Sequence, residues 1–327
     1  YFIDLYRLYY RVYWCFENIL SVYRRYPQYM IWDDHEIMDG WGSLTKKERE
    51  KKLCHWLQND DDENNYKLVM LMFEAASFVY HEYQHSHNPS TKIDLKNSIQ
   101  CEWDYGFSHH DYAFYMLDLR GHHDCERQDH RLLGKTQFTR FTKWLASEKV
   151  KNANAVFICS PVPVVHWNEF FVNSADFGSQ KDDFMDEWGH ESNHEERNKL
   201  LELLLSSSHE NNHAITILSG DVHCASIFNI NHRLRFPNAR VFNVTSSAIS
   251  RSPAPKISLS AIQKSAPIDK FDGGRFEQLY RFAGSNNFVL MNANYENSEL
   301  SLNANLYWSG EDNGICQKII HLCGCQS

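Results

Sequence analysis

Ile31-Trp-Asp-Asp-His-Glu-Ile-Met-Asp-Gly-Trp-Gly42 is the stretch on which the reading of this chain turns. A short apolar run, Gln28 to Trp32, leads into it and reads as a β-strand, so Asp33-Asp34-His35-Glu36 falls at a strand end. Two further apolar strands finish the same way. Tyr112 to Leu119 ends in Asp118-Leu119-Arg120, and Ala214 to Leu218 empties into Ser219-Gly220-Asp221-Val222-His223. In α/β sheets, ligands gather in the crevice beyond the carboxyl ends of the strands. Carboxylates and imidazoles converging there suit metal ions, and a mixed Asp/His set favours Mn, Fe or Zn over an all-oxygen Ca or Mg cage. Two such ions close together activate water and stabilise both oxygens of an in-line displacement at phosphorus. Each cluster alone has an ordinary reading. Asp is a good N-cap, Gly-Asp suits a turn, and Asp118 with Arg120 makes a salt bridge. Together, at the ends of separate strands, they point to a metal site.

Working outward, residues 1–26 place Leu5, Leu8, Tyr9, Val12, Tyr13, Phe16, Ile19, Leu20 and Tyr23 on a helical stripe that Pro27 ends. Helices are expected over about 44–58, 64–85, 135–149 and 195–206, with Asn88-Pro89-Ser90 breaking the second. Strands are expected over 155–159, 225–230 and 239–245, and a β-hairpin over 288–308 around Glu296-Asn297. The stretches 177–194 and 250–274 read as loops, and the residues after the hairpin as a tail. Strands alternating with helices make this a layered α/β domain, taken as one unit over 1–327.

Composition sets the outer limits. The net charge of −9 on 327 residues argues against a nucleic-acid partner, since Lys46-Lys47 and Lys51-Lys52 alternate with acids on one solvated helix face. No apolar run approaches the roughly 18–20 residues needed to span a bilayer. The chain starts at Tyr1 without an initiator Met and reads as a truncation, which leaves targeting and compartment open. Nine cysteines without paired spacing argue against a disulfide framework and lean towards an intracellular, reducing setting; Cys323-Gly-Cys325 reads as a frayed end. Asn243-Val-Thr245 fits a glycosylation acceptor but lies in a buried-type strand. Of the eighteen histidines, His81, His85 and His87 read as solvent-exposed, while His109-His110 and His122-His123 flank the Asp118 strand.

At this point the chain resembles a known family. Ile31 to Gly42 looks like the most distinctive signature of the alkaline phosphatase D (PhoD-like) family. In the family's order follow Phe114-Tyr-Met-Leu-Asp-Leu-Arg120, Leu133-Gly-Lys-Thr-Gln137, Ser160-Pro-Val-Pro163, Asp182-Asp-Phe-Met-Asp-Glu-Trp188, His194-Glu-Glu-Arg197, Leu218-Ser-Gly-Asp-Val-His223 and Thr245-Ser-Ser-Ala-Ile249. The resemblance covers about residues 1–290.

The family is similar to the calcineurin-like metallophosphoesterases, so the resemblance implies a four-layer α/β/β/α sandwich with two metals drawn from Fe, Ca, Zn or Mn. It implies hydrolysis of phosphate mono- or diesters by a metal-bound hydroxide, with His35 protonating the leaving oxygen. Asp34, Asp221 and His223 match metal ligands, Arg120 a phosphate contact, and Asp33 and Asp39 supporting positions. The family's opening strands, with a bridging aspartate, would precede residue 1, supplied by a missing N-terminal segment or a partner chain. The superfamily's isolated metal-binding histidine is replaced near Ser160, with His166, His190 and His194 as substitutes to weigh against core or surface roles. The rival expectation is a non-catalytic scaffold or binding module with the same fold.

Overall fold

The computed structural model describes residues 1–57, 65–127, 132–166, 185, 187–254, 265–267, 273–297, 299–310 and 314–324. The chain forms two compact units, Tyr1–Tyr105 with Met116–Gly134, and Gly106–Tyr115 with Lys135–Ser327.

The first unit is helical. Helices α1 (Phe2–Trp14), α2 (Glu17–Tyr23), α3 (Lys46–Leu57) and α4 (Asn65–Tyr83) surround an aromatic core. Trp32, fully buried, stacks on Tyr80 at 4.4 Å, and Trp41 lies parallel to Phe73 at 4.9 Å. α1 is apolar on nearly every side, so periodicity alone cannot choose its buried face. Packing against α4 chooses Phe2, Tyr6, Tyr10 and Trp14: Tyr10 stacks on Tyr83 at 4.7 Å, and its hydroxyl accepts from Gln84 Nε2 at 2.9 Å. The expected stripe is therefore turned outward. Leu8, Tyr9, Val12, Tyr13 and Phe16 are each more than half exposed.

Residues 28–32 form no strand. The reason is that a side chain satisfies the backbone a neighbouring strand would have paired. Met30 N donates to Asn88 Oδ1 at 3.1 Å, and Met30 O accepts from Asn88 Nδ2 at 2.8 Å and from the Tyr105 hydroxyl at 2.9 Å.

The second unit is a sandwich. Its large sheet contains β1 (Tyr105–His109), β2 (Tyr112–Met116), β3 (Ala155–Ser160), β4 (Ala214–Ser219), β5 (Ala225–His232), β6 (Phe236–Ser246), β7 (Ser265–Pro267) and β8 (Gly274–Phe282). They lie in the order β1-β2-β3-β4-β6-β5-β8-β7. β3, β4 and β6 run parallel; β3 and β4 read as nearly continuous apolar runs, as strands covered on both faces do, while β6 is buried in its second half. β5 and β8 are antiparallel additions, and β7 closes the edge, where the missing N–H of Pro267 costs no ladder bond.

A second sheet of β9 (Asn287–Glu296), β10 (Glu299–Ser309) and β11 (Ile315–Cys323) packs face to face on the first. Ala155, Phe157 and Ala214 meet Leu300 and Leu302, and Ile227 and Val244 meet Ala304. The other face of the large sheet carries α5 (Gly134–Leu145) and α7 (His194–Asn211), with the short α6 (Glu148–Lys151) between them in sequence. Phe141 and Trp144 of α5 pack on Tyr115 at 5.0 and 4.9 Å. α7 lies on β4 and β6 and buries Leu200, Leu201, Leu204 and Leu205 completely, worth about 1.5–3 kcal/mol each. This is a mixed α/β sandwich, as expected, with β9–β10 at the anticipated hairpin.

β7, which falls in the stretch 250–274 expected as a loop, was not anticipated, nor were β1, β8 and β11. Their runs carry polar residues on both faces and give a weak alternation. β11 pairs with β10 along its length, so Cys323 belongs to a sheet rather than a frayed end, while Cys325 lies outside the described residues. The described cysteines are all free thiols. Asn243, the glycosylation acceptor, is fully buried and takes the amides of Val164 and Val165, each at 3.1 Å. Among the described residues no helix is long and apolar enough to cross a membrane.

Candidate functional site

The signature loop opens with a short helical turn, Asp34–Glu36, capped by Asp33, whose amide donates to Glu36 Oε2 at 2.8 Å. Asp34 is buried and folds the loop back on itself. Its Oδ1 accepts the His35 amide and its Oδ2 the Gly40 amide, both at 2.8 Å. That closure needs Gly40 at φ +76° and Gly42 at φ +101°. A Cβ at Gly42 would stand 2.3 Å from His123 Nδ1, so only glycine lets the loop pass that ring.

The Asp118-Leu119-Arg120 segment lies beyond the end of β2, in a turn that clamps the loop from below. Asp118 Oδ1 accepts Trp32 Nε1 at 2.7 Å and the amides of Arg120 and Gly121 at 3.0 and 2.8 Å. Arg120 is 2% exposed; its Nε donates to Asp33 Oδ1 at 2.6 Å and an Nη to Trp41 O at 3.2 Å. Any phosphate reaching for Arg120 competes with Asp33.

His35 and Asp39 project from the loop, about half exposed, with Nε2 and Oδ1 3.6 Å apart. Lys52 of α3 donates to Asp39 Oδ2 at 2.5 Å and to its carbonyl at 2.7 Å. Nothing in the pattern around Lys52 signals this contact, because its position on a charged helix reads as solvent-facing.

The electrostatics follow from this packing. Burial raises the Asp34 carboxyl, but the Arg120 charge, His35 and the two backbone amides outweigh it and hold the carboxyl below its ordinary value. Glu36 has less help. Burial, with the nearby Asp33 and Asp34 charges, pushes it up to about 7 against the Asp33 amide and Gln84. Asp34, His35 and Asp39 each offer a ligand atom within 4.8 Å of the others. A metal with bonds of about 2.0–2.2 Å wants such atoms roughly 3–3.5 Å apart, so small side-chain rotations suffice. Each Asp34 oxygen keeps a second lone-pair direction besides its backbone bond. The Asp34 carboxylate fits a metal ligand, and His35 and Asp39 stand beside it.

In the second unit, the loop between β4 and β5 carries Asp221 at φ +67° and His223 at φ +56°. Two excursions of this kind, on either side of Val222, are uncommon for non-glycine residues. The loop is fixed at both ends. Gly220 N donates to Pro161 O at 3.1 Å, and His223 O accepts Ala254 N at 2.7 Å.

The remaining histidines sort by burial. His166 is buried between Ser226 Oγ at 2.7 Å and Cys224 Sγ at 3.3 Å, and burial drives it down to about 3, so it is a neutral core residue. His190 caps the turn at Ser192, and His194 meets Gly189 O at 2.7 Å. His85, expected in solvent, is 3% exposed and bonds Thr91 Oγ1 at 2.8 Å. Of the motif 182–188, residues 182–184 and 186 lie outside the described residues; Trp188 is fully buried.

The solved structure of PhoD superposes with a TM-score of 0.61 at 14% identity, over 99% of this chain and 60% of that one, a likeness of fold. The chain thus spans about three-fifths of that protein's length. The structure of a purple acid phosphatase, PPD1, from yellow lupin (Lupinus luteus) seeds gives a TM-score of 0.38 at 12% identity over 76% of this chain and 36% of that one, too remote to argue from. No curated protein matches the sequence. The sequence profile of the PhoD-like phosphatases matches residues 2–296, and the chain belongs to that family.

Proposed function

We propose that this protein is a metal-dependent hydrolase of phosphate mono- or diesters. The observation that carries the reading is the signature loop itself: a buried carboxylate held ionised, with a half-exposed imidazole beside it and a second carboxylate braced by a lysine. Burying the Asp34 carboxylate is costly, and three ionisable donors lie within 4.8 Å of one another around it. The metal ligands in this reading are Asp34 in the first unit and Asp221 and His223 in the second, with two ions drawn from Fe, Ca, Zn or Mn. Bound metal would supply charge to offset the phosphoryl oxygens and would make water a better nucleophile.

The chain's own groups do the rest. His35, exposed enough to meet an ester oxygen, donates the proton the leaving alkoxide needs. Asp39 faces the imidazole at 3.6 Å and orients it, and Lys52 fixes Asp39. Arg120 enters through Asp33: its charge lowers both carboxyls, enough to hold Asp34 below its ordinary value while burial still leaves Asp33 raised, and its bond to Trp41 O anchors the loop. That is a positioning role.

The test is His35→Gln with two esters. An alkyl phosphoester, whose poor leaving group needs the proton, should lose about 10²–10⁴-fold in kcat. A p-nitrophenyl ester should lose much less. Equal losses for both would remove His35 as the acid.

A further inference from the structure

The carboxyl ends of β4 and β6 open into a cavity of about 540 Å³ in the second unit. Leu218, Val244, Val289 and Met291 contribute its apolar lining, and Ile249 stands among the lining residues, 74% exposed. The wall from Ser246 to Arg251 is braced by the first residues of β9. Asn287 Nδ2 donates to Ser247 O at 2.6 Å, its Oδ1 accepts Ser246 Oγ at 2.8 Å, and its amide donates to Ala248 O at 3.0 Å. Asn286 Nδ2 adds bonds to Ala248 O at 3.1 Å and Arg251 O at 2.5 Å. A few residues on, Ala254 ties the same segment to the carbonyl of His223. The cavity and the Asp221–His223 loop therefore share one framework, and β4 leads directly from Leu218 and Ser219 in the cavity to Asp221.

We propose that this cavity receives the organic group of the phosphoester and selects substrates carrying an aryl or medium-length alkyl group. The inference rests on the hydrolase reading above. The volume is within the range of about 300–1,000 Å³ usual for small-molecule sites, and a dry cavity of about 150 Å³ already holds a benzene ring. An isoleucine this exposed at the cavity has an occupant to explain it if a ring or alkyl chain covers it. Ser246 and Ser247 line the same space and make that side of it polar.

The experiment uses metal-loaded full-length protein and three p-nitrophenyl phosphodiesters whose second ester is methyl, butyl or phenyl. The leaving group is constant, so differences in kcat/KM report the variable group. The expected result is a rise of about tenfold or more from methyl to phenyl, of the order one or two well-buried carbons provide. Ile249→Asp, at an exposed position that folding tolerates, should shrink that ratio several-fold. Turnover without a preference, or a preference unchanged in Ile249→Asp, overturns the cavity assignment and leaves the hydrolase reading standing. No turnover of any of the three overturns the cavity assignment, and no turnover of p-nitrophenyl phosphate as well overturns the hydrolase reading too.

Discussion

Arg120→Met is the substitution that most directly probes how the signature loop is held. Methionine fills much of the same volume but removes the charge from a site that is 2% exposed. Two losses follow. The Asp33 carboxylate, 2.6 Å from the guanidinium and 25% exposed on its side chain, is left beside Asp34 with no counter-charge. Stripping one partner from a buried pair costs about 3–5 kcal/mol, and the partial exposure of Asp33 places this case near the lower figure. The bond to Trp41 O adds about 1 kcal/mol. We expect a loss of about 4 kcal/mol at pH 7, read as the shift in urea midpoint at constant slope. The pH dependence gives the sign check. Without Arg120 the Asp33 and Asp34 carboxyls titrate higher in the folded state than in the unfolded chain. The variant then regains stability as pH falls and the two groups take up a proton, so its deficit narrows from pH 7 towards pH 4. Asp33→Asn in the same background should recover about half of the loss. A deficit below about 1 kcal/mol, or one that widens on acidification, would refute the bracing role assigned to Arg120.

Other predictions follow from particular contacts. Asn88→Ala strips two hydrogen bonds from the Met30 backbone and should cost about 2 kcal/mol in chemical denaturation, while Asn88→Asp should recover part of that by keeping the acceptor for Met30 N. Gly42→Ala should cost at least as much, because it combines an unfavourable φ of +101° with a collision on His123, and Gly134→Ala, with open space around it, should cost less. His166, His85 and His213 are lowered mainly by burial to about 3, 4 and 4, below their ordinary value of 6.5. The unfolded chain therefore binds more protons below pH 6.5, and stability should fall by about 2 kcal/mol per histidine between pH 7 and pH 5. A flat stability profile over that window would contradict their burial.

Much of this architecture was legible in the sequence, for physical reasons that differ by element. β3 and β4 announce themselves because strands covered on both faces are nearly continuous apolar runs, while β6 shows only through its buried second half. The hairpin β9–β10 shows through its alternation about Glu296-Asn297, where Asn297 takes φ +51°. α1 defeated the periodicity because Tyr, Leu and Val occupy both faces, and only contact with α4 decides between them. Residues 28–32 defeated the composition. They look like a strand, but Asn88, far along the chain, supplies the hydrogen bonds. At the candidate site, the identities of Asp34, His35 and Asp39 could be read from one short motif because the loop closes on itself. What could not be read was the company they keep. Lys52 arrives from a helix face that looks solvated, and Arg120 arrives from a turn that looks like a strand end.

The central claim is tested most directly by turnover of bis-p-nitrophenyl phosphate on full-length protein whose metal content is measured on the same sample, before and after chelation. The account predicts near-stoichiometric Fe, Zn, Mn or Ca, hydrolysis that disappears with the metal and returns when it is restored, and loss of both metal and turnover in Asp34→Ala. Turnover that survives complete metal removal, or metal-replete protein that hydrolyses no phosphoester, would contradict it.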